Sequence, residues 1–198
     1  DSGATYMDGT TDITRTYPLG ELTEDERLFY TWTLQCHIDI AKAVWLDYCD
    51  CHMLDTIARE PLWRHLINYR CGTGHSVSFV GNVHEGPHAL NGRNTTLMRP
   101  GMIVTDEPGV YETDLVGIRI ENELVCVHKA DNQYGTFLGF EPIMFVPIAT
   151  SPIVPGVLTK DELDWLNNYH RQVFEKLAPR LNDEEREWLA KKCAAIGC

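Results

Sequence analysis

The sequence predicts an α+β domain, and three observations carry that prediction. Helix-opening signals of the form Thr/Asn-x-x-Glu stand at Thr23–Glu26, Thr159–Glu162 and Asn182–Glu185. Segments 102–105, 117–127 and 136–147, rich in β-branched and aromatic residues, read as strands between the first signal and the other two. An Asp8-Gly9 pair sits in a small, polar, β-branched opening stretch, where it marks a tight turn between two short strands. Helices beside antiparallel strands, then two terminal helices, make an α+β arrangement.

The elements follow in order. Alternation from Thr10 to Thr16 gives the second opening strand. The first helix is predicted from Thr23 to about Leu46, because Leu28, Trp32, Cys36, Ile40 and Val44 recur every four residues as one buried stripe. A second helix covers about Met53 to Arg59, and Pro61 opens a further turn over Leu62 to Ile67. Glycine, histidine and asparagine dominate Tyr69 to Arg99, which predicts short strands and loops. The terminal helices are expected at about 160–178 and 183–192. Trp32, Trp45 and Trp63 fit amphipathic faces as core residues.

Composition narrows the function classes. The 198 residues carry 17 Lys and Arg against 29 Asp and Glu, a net charge of −12, with 43% hydrophobic residues. That charge argues against a nucleic acid or an anionic membrane as partner and is compatible with binding cations. No run of 18 apolar residues exists, so no membrane-spanning helix is expected. Seven cysteines without a disulfide-framework spacing point to reduced thiols and a cytoplasmic setting. The chain opens on Asp1 in an apparent strand, without initiator Met or signal peptide, and is expected to be part of a longer polypeptide.

Several acidic groups sit inside apolar or glycine-rich segments where exposure is not expected. They are Asp1 and Asp12 on the opening strands, Glu107 in IVTDEPG and Glu121 in GIRIENEL, with His75 in GTGHSV. Burying five such groups without compensation would cost roughly several kcal/mol each, and a metal ion is one compensation. Four carboxylates and an imidazole form a hard, oxygen-rich set suited to Mn²⁺, Co²⁺ or Zn²⁺ in a two-metal centre.

The ordered segments DSG, DGTTDITR, GTGH, NVHEGP, GMIVTDEPG and GIRIENEL closely resemble the signature of the Xaa-Pro aminopeptidases (aminopeptidase P), metallopeptidases of the pita-bread fold. The tail GFEPIMFVPI and LTKDELDWLNNYH resembles their eukaryotic cytosolic branch. The resemblance implies the C-terminal portion of a pita-bread (creatinase/aminopeptidase) domain: a mainly antiparallel curved sheet with flanking helices. Residues 1–198 would form that part of one catalytic domain, and 159–198 its terminal helical extension. It implies Asp1, Asp12, His75, Glu107 and Glu121 as ligands of two divalent ions, Mn²⁺ first with Zn²⁺ and Co²⁺ as alternatives. Asp12 and Glu121 would bridge, Asp1 would complete one ion, and His75 and Glu107 the other. A bridging hydroxide would attack the first carbonyl of a peptide whose second residue is proline, and Glu107 would pass the proton to the leaving nitrogen. His84 in NVHEGP would contact the scissile carbonyl, and Arg119 would orient Glu121 from behind. A homodimer is open, as is the front part of the catalytic domain, absent from these 198 residues.

Other polar residues read as structural. Asp8 is a turn residue, and Asp106 faces the opposite side of its strand from Glu107. His37, His52, His65, His128 and His170 carry no role in this reading, and His88 is a weak candidate for substrate contact. The family pattern H-G-x-G-H is broken at Cys71, where the missing histidine would line the proline pocket; Ser76 and Ser78 also replace glycines. Those departures keep a non-catalytic pita-bread binding module open as an alternative. A prolidase or methionine aminopeptidase is a second one, disfavoured by NVHEGP and WLNNYH.

Overall fold

A computed structural model describes residues 1–197; Cys198 lies outside the described residues. Every strand pair in it is antiparallel. The chain opens with a hairpin of β1 (Ser2–Tyr6) and β2 (Gly9–Ile13), turning at Met7-Asp8 as the Asp-Gly signal predicts. Helix α1 (Glu24–Ala41) leads to β3 (Val44–Leu46) and helix α2 (Cys51–Trp63). Short strands β4 (Gly74–His75) and β5 (Ala89–Leu90) pair with each other, as do β7 (Gly109–Glu112) and β8 (Val116–Arg119). The central sheet has the order β3-β10-β9-β6, with β6 (Ile103–Asp106), β9 (Asn122–Asn132) and β10 (Gly135–Pro142). A register shift at Phe137/Leu138 interrupts the β9–β10 ladder, the kind of irregularity that bends a sheet. Helices α3 (Lys160–Leu177) and α4 (Asp183–Lys192) close the described chain.

All three predicted capping boxes form. Thr23, Thr159 and Asn182 each accept a bond from the backbone of the glutamate three residues on, whose carboxylate returns to the cap N–H at 2.7, 2.6 and 3.0 Å. Other expectations need correction. The first helix stops at Ala41, not Leu46, because Val44–Leu46 pairs with β10 and Trp45 packs on Phe140, ring centroids 4.5 Å apart. Nor is α1 buried along one stripe: Val44 is outside it and exposed, and consecutive residues from Thr33 to Ile38 are buried. The Thr31 and Thr33 hydroxyls, which obscure that burial in the sequence, donate to the carbonyls of Arg27 and Phe29. Pro61 does not open a new turn but lies inside α2, which starts at Cys51 on an Asp50 cap. The strand expected over 117–127 is two strands broken at Ile120-Glu121.

One apolar core joins α2 to the central sheet through Leu54, Met98, Val104, Leu124 and Phe140. Another seats α3 on α1 through Tyr30, Leu34, Leu166 and Tyr169. The guanidinium of Arg15 crosses between hairpin and helix, donating to Asn122 Oδ1 (2.8 Å), the Val146 carbonyl (2.7 Å) and Tyr169 Oη (2.9 Å). Six cysteines, Cys36, Cys49, Cys51, Cys71, Cys126 and Cys193, are free thiols.

His170 of α3 is wholly buried, and its Nε2 accepts the Ile148 N–H at 3.1 Å. Burial pushes it down to about 4, from an ordinary value of 6.5, with the charge of Arg15 adding to the effect. The unfolded chain therefore binds a proton that the folded one refuses. The stability from neutral His170 is complete above about 6.5 and is lost as pH falls towards about 4. Its size is roughly 3 kcal/mol. Urea unfolding of wild type and His170→Gln, the latter keeping an acceptor but no titration, should show wild type losing about that much relative to the variant between pH 7 and 4. Parallel pH curves would refute the assignment.

Candidate metal centre

Four strand ends converge on one cleft. Asp12 lies on β2, where Gly3 is its cross-strand neighbour; a Cβ on Gly3 would meet the Thr11 carbonyl oxygen at 2.7 Å. His75 ends β4, which lies so close on β6 that a Cβ on Gly74 would sit 1.7 Å from the Thr105 oxygen. Glu107 follows β6 directly, its N–H donating to the Thr73 carbonyl at 2.7 Å. Glu121 occupies the break between β8 and β9, its N–H donating to the Thr14 carbonyl at 3.0 Å. The break over Ile120-Glu121 takes Glu121 out of the ladder, and its side chain lines the cleft.

Donor atoms of Asp1, Asp12 and Glu121 lie within 4.8 Å of one another, as do those of His75, Glu107 and Glu121, and those of Asp12, His75 and His84. The expected five donors and His84 are thus brought together, with Glu121 common to two groups. The cleft between them, about 160 Å³, is lined by Asp1, Asp12, Thr14, His84, Glu107, Tyr111, Arg119 and Glu121. His75 Nδ1 donates to the Ser76 carbonyl at 3.1 Å, which turns Nε2 toward Glu107 Oε1 (2.9 Å) and Asp12 Oδ2 (3.6 Å). His84 is exposed and meets the His75 ring edgewise, centroids 3.9 Å apart.

Arg119 is placed differently from expectation. Its Nη1 donates to Glu107 Oε2 at 2.7 Å, and its Nε donates to Tyr111 Oη at 3.0 Å, so it grips Glu107 and not Glu121. The β7–β8 pairing sets Arg119 opposite Gly109, two residues beyond Glu107, which explains the choice. Cys71 is half-buried with its thiol 3.6 Å from the Gly109 carbonyl, and it does not line the cleft. His88 is buried with Nε2 2.7 Å from the Ile103 carbonyl, while Asp8 stays exposed in its turn. Asp106 pairs with buried His37 at 3.0 Å on the far side of β6, a structural contact as expected.

The electrostatics separate the carboxylates. Burial raises Asp12 and pushes Glu121 up to about 7, with the negative charges of Glu107 and Asp12 adding to the rise in Glu121. Burial also acts to raise Glu107, but His75 and Arg119 outweigh it and hold Glu107 below its ordinary range. His75 is raised: burial opposes its charge, and Glu107 and the Ser76 carbonyl prevail. Glu121 is 2% exposed, and its Oε1 is buried without a hydrogen-bond partner, while the close neighbour of buried His75 Nε2 on this side is Glu107 Oε1 at 2.9 Å. An orphaned carboxylate oxygen beside an imidazole nitrogen and further carboxylates fits a divalent cation.

Sequence reasoning missed Thr14, Thr105, Tyr111 and Glu123. Thr14 Oγ1 donates to Glu121 Oε2 at 2.5 Å. Glu123 is buried and accepts the Asp12 N–H at 2.7 Å; burial pushes it up to about 7. Period-two alternation from Glu121 was the available signal for Glu123. The threonines resemble ordinary strand residues and gave none.

Residues 1–128 match the family model described as metallopeptidase family M24, and residues 136–196 match the C-terminal region of peptidase M24. Aminopeptidase P1 of Lotus japonicus is 44% identical over 204 residues, which cover 100% of this chain and 31% of that protein. Aminopeptidase P2 of Arabidopsis thaliana is 45% identical over 196 residues, 96% of this chain and 28% of the relative. Among solved structures, the X-prolyl aminopeptidase of Caenorhabditis elegans, described as a cytosolic enzyme with a di-nuclear active site, superposes with a TM-score of 0.92 at 38% identity. That match covers 99% of this chain and 33% of the worm protein. The prolidase of Pyrococcus furiosus gives 0.60 at 28% identity, over 71% of this chain and 38% of the prolidase. The chain spans about a third of the length of the curated relatives named here. Among the described residues no helix is long and apolar enough to cross a membrane. With its pita-bread architecture and its match across both regions, the chain belongs to metallopeptidase family M24.

Proposed function

We propose that residues 1–198 form the C-terminal part of the catalytic domain of a dinuclear metal-dependent aminopeptidase that releases the first residue from peptides with proline in second position. The observation that carries this reading is the pair of donor groups, Asp1–Asp12–Glu121 and His75–Glu107–Glu121, sharing one buried carboxylate. Asp12, Glu121, Asp1, His75 and Glu107 would hold the ions, Mn²⁺ first, and the bound ions would supply Lewis-acid activation of a water near neutral pH. The segment 159–198 is its terminal helical extension and the setting is cytoplasmic.

Each side chain has a task of its own. Glu107 accepts a proton on its carboxylate and delivers it to the leaving proline nitrogen; Thr105 and Arg119 orient its two oxygens. His84, exposed at the mouth of the cleft, donates a ring N–H to the scissile carbonyl as negative charge develops there. Arg119 keeps Glu107 ionised, and Cys71 takes the sequence position of the family's pocket histidine while its thiol turns to the Gly109 carbonyl. A non-catalytic module has less support, because all five donors converge on one cleft.

The deciding measurement is metal content together with release of the first residue from an X-Pro-X peptide, Mn²⁺ supplied. Two equivalents of metal and turnover support the reading; a protein that takes up no divalent ion overturns it. Asp12→Ala and Glu121→Ala should each lose one ion and nearly all hydrolysis, whereas Asp8→Ala, a turn substitution, should keep both. The reverse pattern would displace the donor assignment. His84→Ala should lower kcat by roughly 10²–10³, the scale of one oxyanion donor, with metal content unchanged. Loss of metal in that variant would make His84 a ligand.

A further inference from the structure

Behind the donors lies a second layer on which the proposed centre rests. Strands β6 and β9 set Thr105 directly opposite Glu123. Both are buried, flanked along the ladder by the apolar pair Val104–Leu124 on one side and the polar pair Asp106–Asn122 on the other. Thr105 Oγ1 accepts the His75 N–H at 2.9 Å and donates to Glu107 Oε1 at 2.9 Å. A hydroxyl has one proton; with an N–H pointing at its oxygen, that proton is directed to Glu107. Glu123 Oε1 accepts the Asp12 N–H at 2.7 Å. A carboxylate buried this far is expensive unless its bonds are needed, and this one is spent on the backbone of a donor residue.

We infer that the cross-strand pair Thr105–Glu123 is a positioning layer that sets the spacing of Asp12, His75 and Glu107 for divalent cations. Thr105 would fix a backbone and a carboxylate on one side of the cleft, and Glu123 the strand bearing Asp12 on the other. The operative features are a hydroxyl at 105 and an acceptor oxygen at 123. The inference rests on the proposed metal centre.

Co²⁺ is the probe, because its visible absorption reports coordination independently of hydrolysis. Calorimetric titration and spectra of the 198-residue protein are compared for wild type, Thr105→Val, Thr105→Ser, Glu123→Leu and Glu123→Gln, with circular dichroism of the metal-free forms as the folding control. Thr105→Val and Glu123→Leu should weaken Co²⁺ binding by about 10- to 100-fold and change the visible band. Thr105→Ser and Glu123→Gln, which keep hydroxyl and acceptor, should stay within about threefold of wild type. If Glu123→Leu does not fold, the near-isosteric Thr105→Val decides. Wild-type affinity and spectrum in Thr105→Val would overturn the inference and leave the metal centre standing. So would Ser and Gln variants as weak as the Val and Leu ones. A wild-type protein that binds no Co²⁺ would overturn both.

Discussion

The site depends on one constraint: several carboxylates crowded where water is scarce. Glu121 is its pivot: Asp12, His75 and Glu121 each belong to two of the three donor groups, and of these Glu121 alone is nearly inaccessible. Like charges brought together under partial burial repel strongly, and an uncompensated carboxylate there is unfavourable by roughly several kcal/mol. The protein offsets part of this with Arg119 and His75 on Glu107, and with the Thr14 hydroxyl on Glu121. It leaves Glu121 Oε1 without a partner. That unmet remainder is the physical basis for reading the cleft as a cation site.

Behind the cleft, buried polar groups tie this crowd to the rest of the fold. Arg15 bonds Asn122, the segment after β10 and Tyr169 of α3, so the residue beside Glu121 is tied to the C-terminal helices. His37 does the same from α1: Asn122 Nδ2 donates to its Nε2, which leaves its Nδ1 proton facing Asp106, the neighbour of Glu107. Burial pushes Asp106 up to about 6, and the His37 contact opposes that rise. Two segments that carry candidate donors, around Glu107 and Glu121, are therefore locked from behind by residues whose own side chains do not line the cleft.

What was legible in the sequence follows from what is local. Capping boxes and the Asp-Gly turn involve neighbours in the chain, and all of them appear where expected. The five donors and His84 were readable because their segments match a long ordered signature, and the fold brings them together. Non-local decisions were hidden. The end of α1 is set by β10, and at the break over Ile120-Glu121 the Glu121 N–H goes to the distant Thr14 carbonyl. The choice of Glu107 by Arg119 depends on the β7–β8 pairing, which no spacing reveals. The unbroken burial of α1 from Thr33 to Ile38 was masked by threonines whose hydroxyls are satisfied within the helix.

The division between strand and loop explains the roles assigned. Asp12 and His75 stand on strands, and Glu107 and Glu121 within a residue or two of one, each fixed by a backbone bond to another segment. Such placement gives the sub-ångström precision a multi-donor centre needs. The backbones also approach too closely at Gly3 and Gly74 for any side chain, so the spacing is built into the strands themselves. His84 is different: exposed, on the long 76–88 connection, it is held edgewise against His75. Under the proposed role, a group so placed would follow a carbonyl as its geometry changes from planar to tetrahedral, which a strand-locked side chain would not. In the proposed reaction the residues that must not move are on or beside strands, and the one that would meet a changing substrate is on a loop.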